Sequence, residues 1–120
     1  MWWRRLLSFG RRSEMDGASY LRSLGFRVIA SRYRIRDGEV DLIAWDGDQL
    51  VFVEVKSRRS NAPPEDAVGF RKQQRVIRAA RSYRRRYRLE CTYRYDVLAI
   101  SVLPNQKPEF RLLRDAFREF

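Results

Sequence analysis

Glu39, Asp41, Glu54 and Lys56 are three carboxylates and an amine that a single β-hairpin would gather on one face. Side chains two apart on a strand point the same way, so Glu39 shares a face with Asp41, and Glu54 with Lys56. The alternate positions are apolar, with Val40, Leu42 and Ala44 on one arm and Val51, Val53 and Val55 on the other. Asp46-Gly47 is a two-residue type I′ turn signal that would set Glu39 opposite Glu54; a four-residue turn would set Asp41 there instead. Both registers keep the four groups together, and the apolar faces oppose a one-residue slip.

Carboxylates opposed across a hairpin repel one another unless something cationic sits between them. The plain alternative is a solvated charged face offset by Lys56, since surface ion pairs are nearly neutral in energy. Three acids converging with one amine point further, to a hard divalent cation such as Mg²⁺ or Mn²⁺ held by oxygen. Lys56 would then position or help deprotonate an attacking water, or stabilise charge developing on a phosphate.

The elements that must position this hairpin can be read around it. Residues 13–24 form a helix with Ser13 as N-cap, Ala18, Leu21 and Leu24 as an apolar stripe, and Gly25 as its end. Residues 26–30 and 33–35 make a first, interrupted strand carrying Arg32, Arg34 and Arg36. Residues 58–64, with a Pro-Pro pair, form a mobile loop bordering the site. A long helix over 68–88 buries Val76, Ile77, Ala80, Tyr83 and Tyr87 and shows a basic ridge of Arg71, Arg75, Arg78 and Arg85. Residues 93–102 are a core strand, 110–113 a short strand, and 115–120 a terminal helix or tail. The order α-β-β-β-α-β-β implies an α/β fold, a mixed sheet flanked by helices, in one domain spanning 1–120 with residues 1–11 loosely packed.

Asp41, Glu54 and Lys56, spaced D-x₁₂-E-V-K, resemble the metal-and-lysine core of the restriction-endonuclease-like (PD-(D/E)xK) superfamily, which includes Holliday-junction resolvases. GEVDLIA…DGDQLVFVEVKSR, Arg71-Lys72-Gln73 and Tyr95-Asp96-Val97 more closely resemble the uncharacterised bacterial YraN-like family. The resemblance implies a restriction-endonuclease-like fold. It also implies Asp41 and Glu54 as metal ligands, with Glu39 and the Val55 carbonyl assisting, and Glu14, Lys72 and Gln73 as accessories. Family members usually have asparagine where this chain has Arg32, and Gly-Glu where it has Ser13-Glu14. Glu14 equally reads as a helix-dipole carboxylate, Lys72 and Gln73 as ordinary helix surface, and Asp96 as a structural partner for an arginine.

Composition fits a nucleic-acid partner, and the nuclease resemblance implies that it is DNA. The 26 Lys plus Arg against 15 Asp plus Glu give a net charge of +11. Such a surface attracts phosphate backbones with salt-sensitive affinity, and Arg34, Arg58, Arg71, Arg75 and Arg78 are placed to hold one. The absence of histidine excludes His-based triads, His-ligated zinc and histidine general bases. The single cysteine, Cys91, reads as a small semi-buried hydrophobe, and a reducing cytoplasm suits it. No apolar stretch is long enough for a membrane span or signal peptide. The resulting expectation is a Mg²⁺- or Mn²⁺-dependent endonuclease, with a homodimer acting on branched DNA as its resolvase-like form. The alternatives are a non-catalytic nucleic-acid-binding module and a partner-binding protein whose acids pair with its own arginines.

Overall fold

The computed structural model describes residues 2–59 and 69–119, with side chains from residue 13 onward. Its order is α1 (Trp2–Ser23), β1 (Arg27–Ile35), β2 (Gly38–Asp46), β3 (Gln49–Arg58), α2 (Phe70–Arg86), β4 (Tyr93–Ser101) and β5 (Glu109–Phe117). The five strands form one sheet in the order β1-β2-β3-β4-β5. All neighbours are antiparallel except β3 and β4, which α2 joins by a crossover that makes them parallel. This is the expected α/β sheet with helices on its faces, the restriction-endonuclease-like arrangement.

Both faces of the sheet are covered. Leu42, Ala44, Val51, Val53, Leu98 and Ile100 bury against Ala18 and Leu21 of α1. Val40, Ile43, Leu50, Phe52 and Tyr95 bury against Val76, Ile77, Ala80 and Tyr83 of α2. Helix α2 lies close on β2 at Gly38, where an added Cβ would meet the Arg75 carbonyl oxygen at 2.5 Å.

One irregularity crosses two strands. Val40 and Ile43 are three residues apart, yet both face α2, while Leu42 between them faces α1. Ala30 and Tyr33 of β1 repeat the pattern, both packing on the α2 side. Between the paired rungs Ser31↔Leu42 and Tyr33↔Val40 lie Arg32, with φ of 52°, and Asp41. The two strands therefore exchange faces at Arg32 and Asp41, and Val40 does not share one apolar face with Leu42 and Ala44 as simple alternation predicts.

Other expectations shift at element ends. The β2–β3 turn is Gly47-Asp48, one residue beyond the predicted Asp46-Gly47, with Asp46 paired to Gln49. Gly47 has φ of 59° and Asp48 has no positive φ, the type II′ rather than the I′ pattern. Helix α1 begins at Trp2, so Ser13 is a buried position within it rather than a cap. No proline interrupts residues 2–12, and Gly10 alone costs too little to end a helix. The predicted 58–64 loop lies mostly outside the described residues. Tyr87 is exposed at the C-cap of α2, and Ala79 is buried in its place.

The tail from Asp115 is not helical. It continues β5 to Phe117, with five residues from Leu113 to Phe117 set against three from Val97 to Tyr95. Asp115 takes a left-handed backbone there, with φ of 51°. Buried Asp96 organises this bulge, accepting hydrogen bonds from Arg94 Nε and the Asp115 N–H, each at 2.9 Å. Arg94 also reaches Asp46 and Gln49 at the two ends of the hairpin turn. Asp96 thus has the structural arginine partner expected of it. Cys91 is half-buried against the α2-side core.

Candidate metal and nucleic-acid site

The β2–β3 ladder stops at Leu42↔Val53, and one further rung would set Asp41 opposite Glu54. Past that point the strands are joined by a side chain, as the Val55 N–H donates to Asp41 Oδ2 at 2.8 Å. Asp41 and Glu54 thus stand together at a fork between two strands. Glu54 is 2 % exposed, an unusual burial for a carboxylate without a partner. Its partner is Lys72, whose Nζ lies 2.8 Å from Glu54 Oε1.

The pair repels itself. Burial first, and then the charge of Glu54, push the Asp41 carboxyl up to about 8, although the Val55 hydrogen bond pulls it down. Burial lowers the Lys72 ammonium, but Glu54, with Asp41 and Glu39 beyond it, outweighs this and holds it above its ordinary value.

Around the pair the predicted residues take different stations. Glu39 turns to Arg34, at 3.1 Å. Glu14 meets Arg32 at 2.7 Å from α1, and Arg32 in turn feels the charges of Glu39 and Asp41. Lys56 is half-buried two residues beyond Glu54 on β3 and makes no ion pair among the described residues. Gln73 sits in the first turn of α2, its N–H bonded to the Gly69 carbonyl. Arg71, Arg75 and Arg78 are exposed along α2, Arg78 at 4.0 Å from Asp37. Arg58 is half-buried at the end of β3, its carbonyl accepting from the Val102 N–H at 2.7 Å.

Asp41 and Glu54 are therefore brought together, Lys72 joins them, and Glu39 and Glu14 stand near but engaged with arginines. Among the described residues no group of three or more acidic, histidine or cysteine side chains is placed to hold a metal. Two carboxylates are nonetheless the set by which Mg²⁺ is commonly held, with waters and substrate phosphate completing its shell. Hard oxygen donors that repel one another suit such an ion. Arg32 was not singled out as a site residue, yet its left-handed backbone is where asparagine, the usual residue of the resembled family, fits best. That preference was the available signal.

The model described as "Uncharacterised protein family UPF0102" matches residues 13–100. The chain belongs to this family. The UPF0102 protein of Syntrophus aciditrophicus (strain SB) is 43% identical over 114 residues, covering 92% of this chain and 89% of that one. The UPF0102 protein of Chlorobium chlorochromatii (strain CaD3) is 45% identical over 95 residues, 78% of this chain and 74% of its own. That of Rhodococcus opacus (strain B4) is 42% identical over 114 residues, 92% and 97% of the two. UPF0102 is the YraN family, so the resemblance read from the hairpin is borne out. The UPF0102 segment contains Glu14, Glu39, Asp41, Glu54, Lys56, Lys72 and Gln73, and leaves β5 outside. Among the described residues no helix is long and apolar enough to cross a membrane.

Proposed function

We propose that the chain is a Mg²⁺- or Mn²⁺-dependent endonuclease that hydrolyses DNA phosphodiester bonds. The observation that carries this reading is the pair of half-buried Asp41 and buried Glu54, held side by side where β2 and β3 part. Asp41 and Glu54 would hold the cation, with Glu39 assisting from the same arm. When bound, such an ion polarises the phosphate and lowers the pKa of a coordinated water. Lys56, free of ion pairs among the described residues, orients that water from the strand that carries Glu54. The ridge of Arg71, Arg75 and Arg78, with Arg34 and Arg58, holds the sugar-phosphate backbone without reading sequence. A homodimer would supply the paired cuts that a four-way junction requires.

One observation favours the alternative, a non-catalytic nucleic-acid-binding module: Lys72 already neutralises Glu54, and no third donor joins the pair among the described residues. The two readings part in a cleavage assay on labelled duplex, single-stranded, flap and four-way-junction DNA with Mg²⁺, Mn²⁺ or chelator. Metal-dependent cutting that Asp41→Ala and Lys56→Ala abolish is the expected result. Cutting by both variants at the wild-type rate, or binding without cutting under every condition, defeats the nuclease reading.

A further inference from the structure

We propose that Lys72 is a tethered counter-ion for Asp41 and Glu54, seated on Glu54 when no divalent cation is bound and exchanged for that cation when one arrives. The inference rests on the metal-site reading above and adds the event that accompanies loading.

The two partners of the ion pair are unequally fixed. The Glu54 side chain is 3% exposed and cannot follow its partner outward, whereas Lys72 is 48% exposed on a flexible stem. Its place on the helix is otherwise unfavourable. Lys72 lies in the first turn of α2, where the helix dipole repels cations, and that turn has no acidic residue and no side-chain cap. Glu54 is what holds the ammonium there.

Residue choice points the same way. The chain has 26 basic residues, of which only Lys56, Lys72 and Lys107 are lysines, and it is one of these rather than one of the many arginines that meets the acidic pair. A guanidinium would lock onto a carboxylate through two parallel bonds, while an ammonium is a compact charge on a rotatable stem. Lysine therefore suits a partner that must leave. Lys56 does not duplicate the role, since it makes no ion pair among the described residues. Once displaced, the Lys72 ammonium stands next to Arg71 and Arg75 and extends their phosphate-facing ridge. Cation loading and backbone binding then favour one another.

Mn²⁺ binding to the full chain, by calorimetry, and thermal unfolding in chelator and in saturating Mn²⁺ test this on wild type, Lys72→Met, Lys72→Arg and Asp41→Asn. Lys72→Met is expected to bind Mn²⁺ about tenfold more tightly, as removal of a competitor implies. It should also unfold at lower temperature in chelator and lose that deficit in Mn²⁺, while Lys72→Arg, whose guanidinium locks onto Glu54, shows no deficit and binds Mn²⁺ more weakly than wild type. Weaker Mn²⁺ binding by Lys72→Met, or a deficit that Mn²⁺ leaves untouched, would make Lys72 a fixed structural partner and overturn the proposal. Equal, weak binding by wild type and Asp41→Asn would overturn the metal site itself, and the exchange with it.

Discussion

Asp41 Oδ2 accepts a hydrogen bond from the Val55 N–H at 2.8 Å, just past the last paired rung of the β2–β3 hairpin. The side chain stands in for a backbone acceptor, so the fork between the strands is closed by the same group that would bind a cation. An asparagine at this position can accept the same bond through its amide oxygen. Asp41→Asn therefore separates the charge of the residue from its structural bond.

That separation makes the pH dependence testable. The Asp41 carboxyl is raised from 3.8 to about 8 by burial and by Glu54. Between those values the folded chain holds a proton that the unfolded chain has released. Stability is thus fully present below about pH 4 and is lost as pH rises through about 8, by up to about 1.4 kcal/mol per pH unit for one proton. Urea unfolding in chelator across this range should show the decline for wild type and a flatter profile for Asp41→Asn. Identical slopes would place the proton elsewhere.

Gly38 gives a prediction about how α2 is seated. A methyl group there would meet the Arg75 carbonyl oxygen at 2.5 Å and the Ala79 backbone nitrogen at 3.0 Å, neither of which can swing aside. Gly38→Ala should destabilise the chain by about 1–3 kcal/mol, as overpacking does. Thermal unfolding is the measurement, and a variant as stable as wild type would show that α2 does not rest on β2 this closely.

The basic ridge predicts a salt effect of defined size. Arg75 is exposed with no ion pair among the described residues, and Arg78 is only 4.0 Å from Asp37. Replacing both with alanine should weaken duplex binding alike for all sequences and make the log-affinity against log-salt slope shallower by about two. Fluorescence anisotropy between low and physiological salt reads this directly. An unchanged slope would move the phosphate contacts off α2.

Much of the fold was legible because long elements repeat their signal. The apolar runs of β2 and β3, the stripe of α2 and the alternation of β4 each recur over two or more turns or rungs. The acidic pair was legible for the same reason, since opposite arms of one hairpin must meet. Single-residue events were not. The face exchange at Arg32 and Asp41 leaves Val40, Leu42 and Ala44 looking like one uninterrupted stripe, although only the last two face α1. The bulge at Asp115 hid the end of β5 in the same way. Lys72 could be suspected but not placed, because its reach to Glu54 depends on where the close contact at Gly38 sets the start of α2.

The face exchange has a consequence for how such a chain can diverge. Asp41 sits where the sheet passes from one core to the other, so neither core dictates the volume of its side chain. Glu54 is enclosed at 2 % exposure and bound to its lysine, so its loss would be felt by the architecture as well as by the chemistry. A descendant lineage could exchange Asp41 for another residue that accepts the Val55 N–H, as asparagine does, with little structural penalty while keeping Glu54 and both layers. The two acids share a site, but not the same freedom to vary.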